Sequence, residues 1–124
     1  MIKKLFILSL TTISLQGCTN ISSIFNNPPL VESHTTKASW YEQGYRTASG
    51  ARFNPKSLTA AHRDYPFGTL VKITNLDNNK EVVAMINDRG PFVKGRDLDV
   101  SRQVAIELNF IKKGVTTVTY HKIN

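Results

Sequence analysis

One cysteine in 124 residues, Cys18, leaves the chain unable to close an intrachain disulfide, so packing and hydrogen bonding must hold it folded. Tryptophan is as scarce, with Trp40 alone, and 9 acidic residues face 16 basic ones. No apolar stretch approaches the roughly 20 residues of a membrane-spanning helix. The histidines and the cysteine have no metal-ligand spacing, so neither a metal nor another cofactor is expected. The formal charge of +7 favours polyanions: nucleic acid, anionic lipid, or cell-wall glycan with its peptide carboxylates. No nucleic-acid-binding motif accompanies the charge, and nucleic acid is not an expected partner.

What is present begins with a short leader. Lys3 and Lys4 precede an apolar run from Leu5 to Leu15 that is too short and too rich in Ser and Thr to span a bilayer. Residues 1–17 therefore read as an export signal. The run ends in Leu15-Gln16-Gly17-Cys18, which resembles the lipobox of bacterial lipoproteins. That resemblance implies lipid attachment at Cys18. Thr19 in place of an aspartate implies anchoring at the periplasmic face of the outer membrane. Residues 18–37 are rich in Asn, Ser, Pro and Thr without periodicity and read as a flexible tether. Residues 38–124 suffice for one small domain, expected to be a monomer. For an exported chain, the polyanion within reach is the cell wall.

Within the domain, Ala38–Tyr41, Thr69–Thr74, Glu81–Ile86, Asp97–Val100 and Val115–His121 have strand-like composition, and Asp77–Lys80 turns the second of these into the third. Val82-Val83-Ala84-Met85-Ile86 is apolar throughout and predicts a strand with little solvent contact. It delivers Asn87-Asp88 to a turn at Arg89-Gly90-Pro91, a suitable place for a rigidly held general acid. An Asp in such a turn can equally serve only to cap its own backbone. Ser101 is the expected N-cap of a helix with Val104, Ala105, Leu108 and Ile111 on one face. Short strands with one late helix suggest a small closed barrel, which leaves no exposed edge.

Seven segments in order carry a more specific signal: Ala38-Ser39-Trp40-Tyr41, Thr47-Ala48-Ser49-Gly50, Leu58-Thr59-Ala60-Ala61-His62, Pro66-Phe67-Gly68-Thr69, Val71-Lys72-Ile73-Thr74-Asn75, Ile86-Asn87-Asp88-Arg89-Gly90-Pro91-Phe92 and Asp99-Val100-Ser101. Together they resemble the rare lipoprotein A (RlpA) family. The resemblance implies a mainly β fold, a small six-stranded double-psi β-barrel with one or two short helices. It also implies a lytic transglycosylase that cuts peptide-stripped peptidoglycan glycan strands and leaves 1,6-anhydro-muramyl ends. By position, Asp88 matches the family's catalytic aspartate and His62 a histidine beside it. The family's other catalytic residue is a glutamate, and its position here is Ala51.

That departure leaves two functions open. Lytic cleavage protonates the glycosidic oxygen and takes a proton from the attacking C6 hydroxyl, and loss of general acid–base help typically costs about 10²–10⁴ in rate. One carboxyl can serve both steps in turn, which leaves Asp88 sufficient; Glu42 in the preceding loop is a weaker substitute. The alternative is a wall-binding, expansin-like module that does not cut. Tyr41, Ser49, Arg52 and Arg89 are candidate substrate contacts, the arginines for muramyl lactyl carboxylates. Trp40, Tyr41 and Tyr45 are expected to be part core and part sugar platform.

Overall fold

The computed structural model describes residues 30–44 and 46–124. The expected export signal, Cys18, most of the expected tether and Tyr45 lie outside the described residues. Among the described residues, six strands and one short helix follow in the order β1 (His34–Tyr41), β2 (Thr59–Ala61), β3 (Leu70–Asn75), β4 (Glu81–Asp88), β5 (Arg96–Ser101), α1 (Arg102–Glu107) and β6 (Val115–Lys122). The strands close into a barrel in the order β1-β5-β2-β4-β3-β6. β1 with β5 and β2 with β4 are parallel, and the other four pairs are antiparallel.

Period-two alternation fills the barrel. Val71, Ile73, Ala84, Ile86, Leu98 and Val100 point inward and are fully or almost fully buried. The apolar run of β4 obeys the same rule, against expectation: Ala84 and Ile86 are buried, whereas Val83 and Met85 are each 40% exposed. Only one face of β4 meets the core, so an unbroken apolar sequence still has a wet side. β1 begins at His34, so His34–Lys37 belong to the barrel rather than to the expected tether. Antiparallel pairing with Thr117–Tyr120 of β6 gives their backbone its partners. β2 had no counterpart among the expected strands. It has three residues, all buried, and lies between β4 and β5.

The helix has six residues, too short to stand alone, and is fixed at both ends. Ser101 Oγ accepts from the Val104 N–H at 3.3 Å and donates to the Ser57 carbonyl at 2.6 Å. At the other end, the Leu108 carbonyl accepts from Asn75 Nδ2 at 2.8 Å and Asn78 Nδ2 at 3.0 Å. Val104, Ala105 and Leu108 are buried as expected, and Ile111, past the helix end, packs on the core from its edge. Asn75 Oδ1 also accepts from the Asp77 N–H at 3.0 Å and the Thr116 hydroxyl at 3.1 Å. One buried amide thus joins the β3–β4 turn, the helix end and β6.

Asn75→Ala should therefore lower unfolding free energy by about 1–3 kcal/mol, the cost of leaving buried polar groups unpaired. Asn78→Ala, in an exposed turn, should cost less than about 1 kcal/mol. Urea denaturation midpoints of the two variants check the order; equal losses would mean that Asn75 is not the junction.

Candidate active site

A single register row crosses four strands. Ser39 of β1 pairs with Asp99 of β5, Asp99 with Ala61 of β2, and Ala61 with Asp88 of β4. The β2–β4 pairing shifts between Ala60 and Ala61, because Ala60 faces Ile86 and Ala61 faces Asp88. Asn87 is the residue passed over, and this bulge brings Asp88 into the row. The neighbouring row, Trp40, Val100, Ala60 and Ile86, faces the core. The carboxylates therefore lie on the outward side of the sheet.

Asp88 is held from three directions. Its Oδ1 accepts from the backbone N–H groups of Ala48 at 2.8 Å and Arg89 at 2.9 Å, and its Oδ2 accepts from the Tyr41 hydroxyl at 3.4 Å. The 46–52 hairpin is pinned to the same place, since the Ser49 N–H donates to the Asn87 carbonyl at 3.2 Å. Arg46 and Arg52 bridge across that hairpin. Tyr41 is stacked on Phe53 with ring centroids 4.7 Å apart. Burial, with the charges of Asp88 and Asp99 adding to it, raises the Tyr41 phenol far above its ordinary value, so it stays a hydrogen donor.

Beyond this row, Asp99 Oδ1 accepts from the Ser39 hydroxyl at 2.9 Å, and Arg96 Nη1 donates to the same hydroxyl at 3.2 Å. Burial raises the Asp99 carboxyl above the ordinary aspartate value; Ser39 and Arg96 oppose the shift, and the charge of Asp88 reinforces it.

His62 belongs to a different cluster. Its Nδ1 accepts from the backbone N–H groups of Asp64 and Tyr65, both at 3.0 Å, which leaves the ring proton on Nε2. Nε2 lies 3.2 Å from the Tyr120 hydroxyl, and that hydroxyl donates to Asp97 Oδ2 at 3.2 Å. Arg63 Nη2 completes the chain on Asp97 Oδ1 at 2.9 Å. The imidazole stacks on Tyr65 at 3.9 Å between centroids. No side-chain hydrogen bond joins His62 to the Asp88 carboxylate among the described residues. The two residues meet instead through the backbone, the His62 N–H donating to the Asp88 carbonyl at 3.2 Å. Both ring nitrogens are thus engaged within this cluster.

The surroundings fit glycan chemistry, and the comparisons decide the family. A model described as Lytic transglycolase matches residues 33–120. The chain belongs to that family. Its relatives include the Rickettsia typhi protein named Endolytic peptidoglycan transglycosylase RlpA, 48% identical over 96 residues, which cover 73% of this chain and 30% of that one. The Rickettsia felis protein of the same name is 49% identical over 92 residues, 69% of this chain and 40% of that one. The chain thus spans well under half the length of the curated relatives it matches. Among solved structures, Streptomyces papain inhibitor superposes with a TM-score of 0.64 at 18% identity, covering 79% of this chain and 100% of that one. A Clavibacter michiganensis expansin in complex with cellohexaose gives 0.61 at 13% identity, covering 75% and 51%. These likenesses establish the double-psi β-barrel fold.

Within this lytic transglycolase domain, the other candidate residues separate by what they touch. Tyr41 is committed to Asp88. Arg89 Nη1 donates to the carbonyls of Tyr65 at 2.9 Å and His62 at 3.2 Å, and its guanidinium lies 3.9 Å from the Phe67 ring centre. It ties loops together and is not a free cation. Ser49 is exposed, its Oγ 2.8 Å from Thr47 Oγ1. Arg52 is exposed beside an open cleft of about 460 Å³ that it lines with Phe53 and Asn54. Ala51, also exposed, carries no acid, and Glu42 is paired with Arg102 at 3.3 Å. Sequence reasoning missed Asp99, Ser39 and Ala48. The alternation Asp97-Leu98-Asp99-Val100, with apolar residues inward, was the available signal for Asp99.

Burial holds the His62 imidazole below its ordinary value, so the unfolded chain binds more protons than the folded one as the medium turns acid. The stability due to neutral His62 is complete above about pH 6.5. It is lost as pH falls from there through the folded value. Denaturant midpoints of the parent and His62→Gln between pH 7 and 5 should converge on the acid side; a constant gap would mean that the ring is not held neutral.

Proposed function

We propose that this chain is a peptidoglycan lytic transglycosylase that cuts peptide-stripped glycan strands endolytically and leaves 1,6-anhydro-muramyl ends. Membership of the family supports the reaction class. The observation that carries the reading is Asp88, a carboxylate accepting from two backbone N–H groups and a tyrosine on the outward face of a rigid barrel. In the reaction, the muramyl C6 hydroxyl attacks C1, the C1–oxygen bond to the next sugar breaks, and the leaving oxygen gains a proton. Asp88 takes the proton from the C6 hydroxyl. Ser49 and Arg52, exposed on the hairpin beside it, are suited to hydroxyl and lactyl-carboxylate contacts.

The location proposed is the periplasmic face of the outer membrane, with Cys18 acylated and residues 1–17 removed. Mass spectrometry of the mature amino terminus should find a lipid-modified Cys18, and an unmodified cysteine or cleavage elsewhere would oppose the anchor.

A second reading, glycan binding without cleavage, is favoured by one observation: Ala51 occupies the position where the resemblance implies a second carboxylate. Incubation with peptide-stripped glycan, followed by mass spectrometry, separates the two. The parent should release anhydro-muramyl products, and Asp88→Asn should lower their rate by about 10²–10⁴. A parent that sediments with sacculi but yields no product would favour binding alone.

A further inference from the structure

We propose that Asp99 is the second acid–base group of this site, donating a proton to the leaving glycosidic oxygen while Asp88 accepts one from the C6 hydroxyl. The inference rests on the lytic reading above and assigns the task left vacant at Ala51.

Register supplies the first argument. Asp88 and Asp99 flank Ala61 in the same row, two inter-strand spacings apart, or about 9.5 Å between backbones. Paired carboxyl groups that straddle a scissile glycosidic bond lie roughly 5–9.5 Å apart, a range that two aspartate side chains on backbones at this spacing can reach. Ala61, the residue between them, is itself buried, so the partly exposed groups of this stretch of the row are the two carboxyls on either side of it.

Environment supplies the second. Asp88 takes hydrogen bonds on both oxygens. Asp99 takes one, from Ser39 on Oδ1, and its Oδ2 has no hydrogen bond among the described residues. The charged and titratable groups facing Asp99 are Arg96 on its own strand, Asp88 on β4 and Tyr41 on β1. Burial and the Asp88 charge outweigh Arg96 and Ser39, so Asp99 keeps its proton to a higher pH than an ordinary aspartate. Two carboxyl groups with different environments on one face divide into acid and base in this way. Tyr41, whose hydroxyl donates to Asp88 and senses the charge of both, fixes their relation.

The proton balance closes. Asp99 gives its proton to the leaving oxygen, Asp88 receives the C6 hydroxyl proton, and a proton passed from Asp88 to Asp99 through solvent restores the pair.

The test uses the full chain and peptide-stripped glycan, with anhydro-muramyl product measured across pH. The parent should lose activity on the alkaline side as Asp99 ionises. Asp99→Asn should lower the rate by about 10²–10⁴ and abolish that alkaline limb. Because Asp99→Asn can disturb folding, carboxyl-carbon NMR titration of Asp99 is run in the parent and in Asp88→Asn. Asp99 should titrate above the ordinary value in the parent and move down once the Asp88 charge is removed. An Asp99→Asn protein that keeps its rate within about threefold and its alkaline limb overturns the proposal and leaves the lytic reading intact. An Asp99 that titrates normally and ignores Asp88→Asn also overturns it alone. A parent that forms no product at any pH overturns both.

Discussion

The site depends on one slip in strand register. If β2 and β4 ran without the shift after Ala60, Asn87 would stand opposite Ala61 and Asp88 would turn to the other face. The bulge sets Asp88 in line with Ala61, Asp99 and Ser39. It has a cost: the Asn87 side-chain oxygen is buried with no partner among the described residues. Such an orphan costs roughly 1–3 kcal/mol. The surrounding loops help to hold the shift. The Met85 N–H donates to the Leu58 carbonyl, the Ile86 N–H to Thr69, the Gly68 N–H to Ile86, and the Ser49 N–H to Asn87. These four connections, just before the bulge and at Asn87 itself, keep it from relaxing along the strand.

Two half-buried arginines keep the neighbouring loops in place without taking part in the carboxylate row. Arg63 donates to the carbonyls of Pro91 and Arg96 as well as to Asp97, and Arg89 to those of His62 and Tyr65. A guanidinium suits this work because its planar fork reaches several acceptors and stays charged when half buried. Together with His62 and Tyr120 they bind β2, β5 and β6 and the 89–95 loop into one polar cluster beside the carboxylates. The cluster is fully paired where it is most buried, which makes it rigid rather than costly. Motion at Asp88 is limited by a neighbouring network that need not touch the substrate.

Much of the barrel was legible in the sequence, because alternation and turn residues are local signals. β3, β4 and β6 are visible in this way, as is Ser101 as a helix cap. β2 was not visible: Thr59-Ala60-Ala61 has modest β-propensity and only three residues, and is a strand because β4 and β5 trap it. The site was legible in part. Asp88 could be singled out from its turn and its resemblance, but its partners could not, since register between β5, β2 and β4 is a property of three distant segments. His62 illustrates the limit from the other side. The β2–β4 pairing sets it next to Asp88 in the backbone, yet side-chain direction sends its ring to Tyr65 and Tyr120.

On the proposed role of Asp99, the contrast between Ala51 and Asp99 explains how a barrel of this kind would lose a loop carboxylate and keep its chemistry. Ala51 is exposed, in a hairpin whose short connections are Gly50 N–H to Thr47 and Thr47 N–H to Ala51 itself. A glutamate there would be solvated, and its long side chain would have to be ordered against substrate at an entropic cost of about 1.5–2 kcal/mol. Asp99 needs no such ordering. It has a short side chain on a strand paired on both sides, and Ser39, itself held by Arg96, fixes its orientation. Its proton affinity is set by burial that the fold already provides. A strand carboxyl in register with Asp88 is therefore pre-organised in the free protein, and on the proposed reading the hairpin is left for binding contacts through Ser49 and Arg52. Chemistry seated in the sheet and recognition seated in the loop can then vary independently.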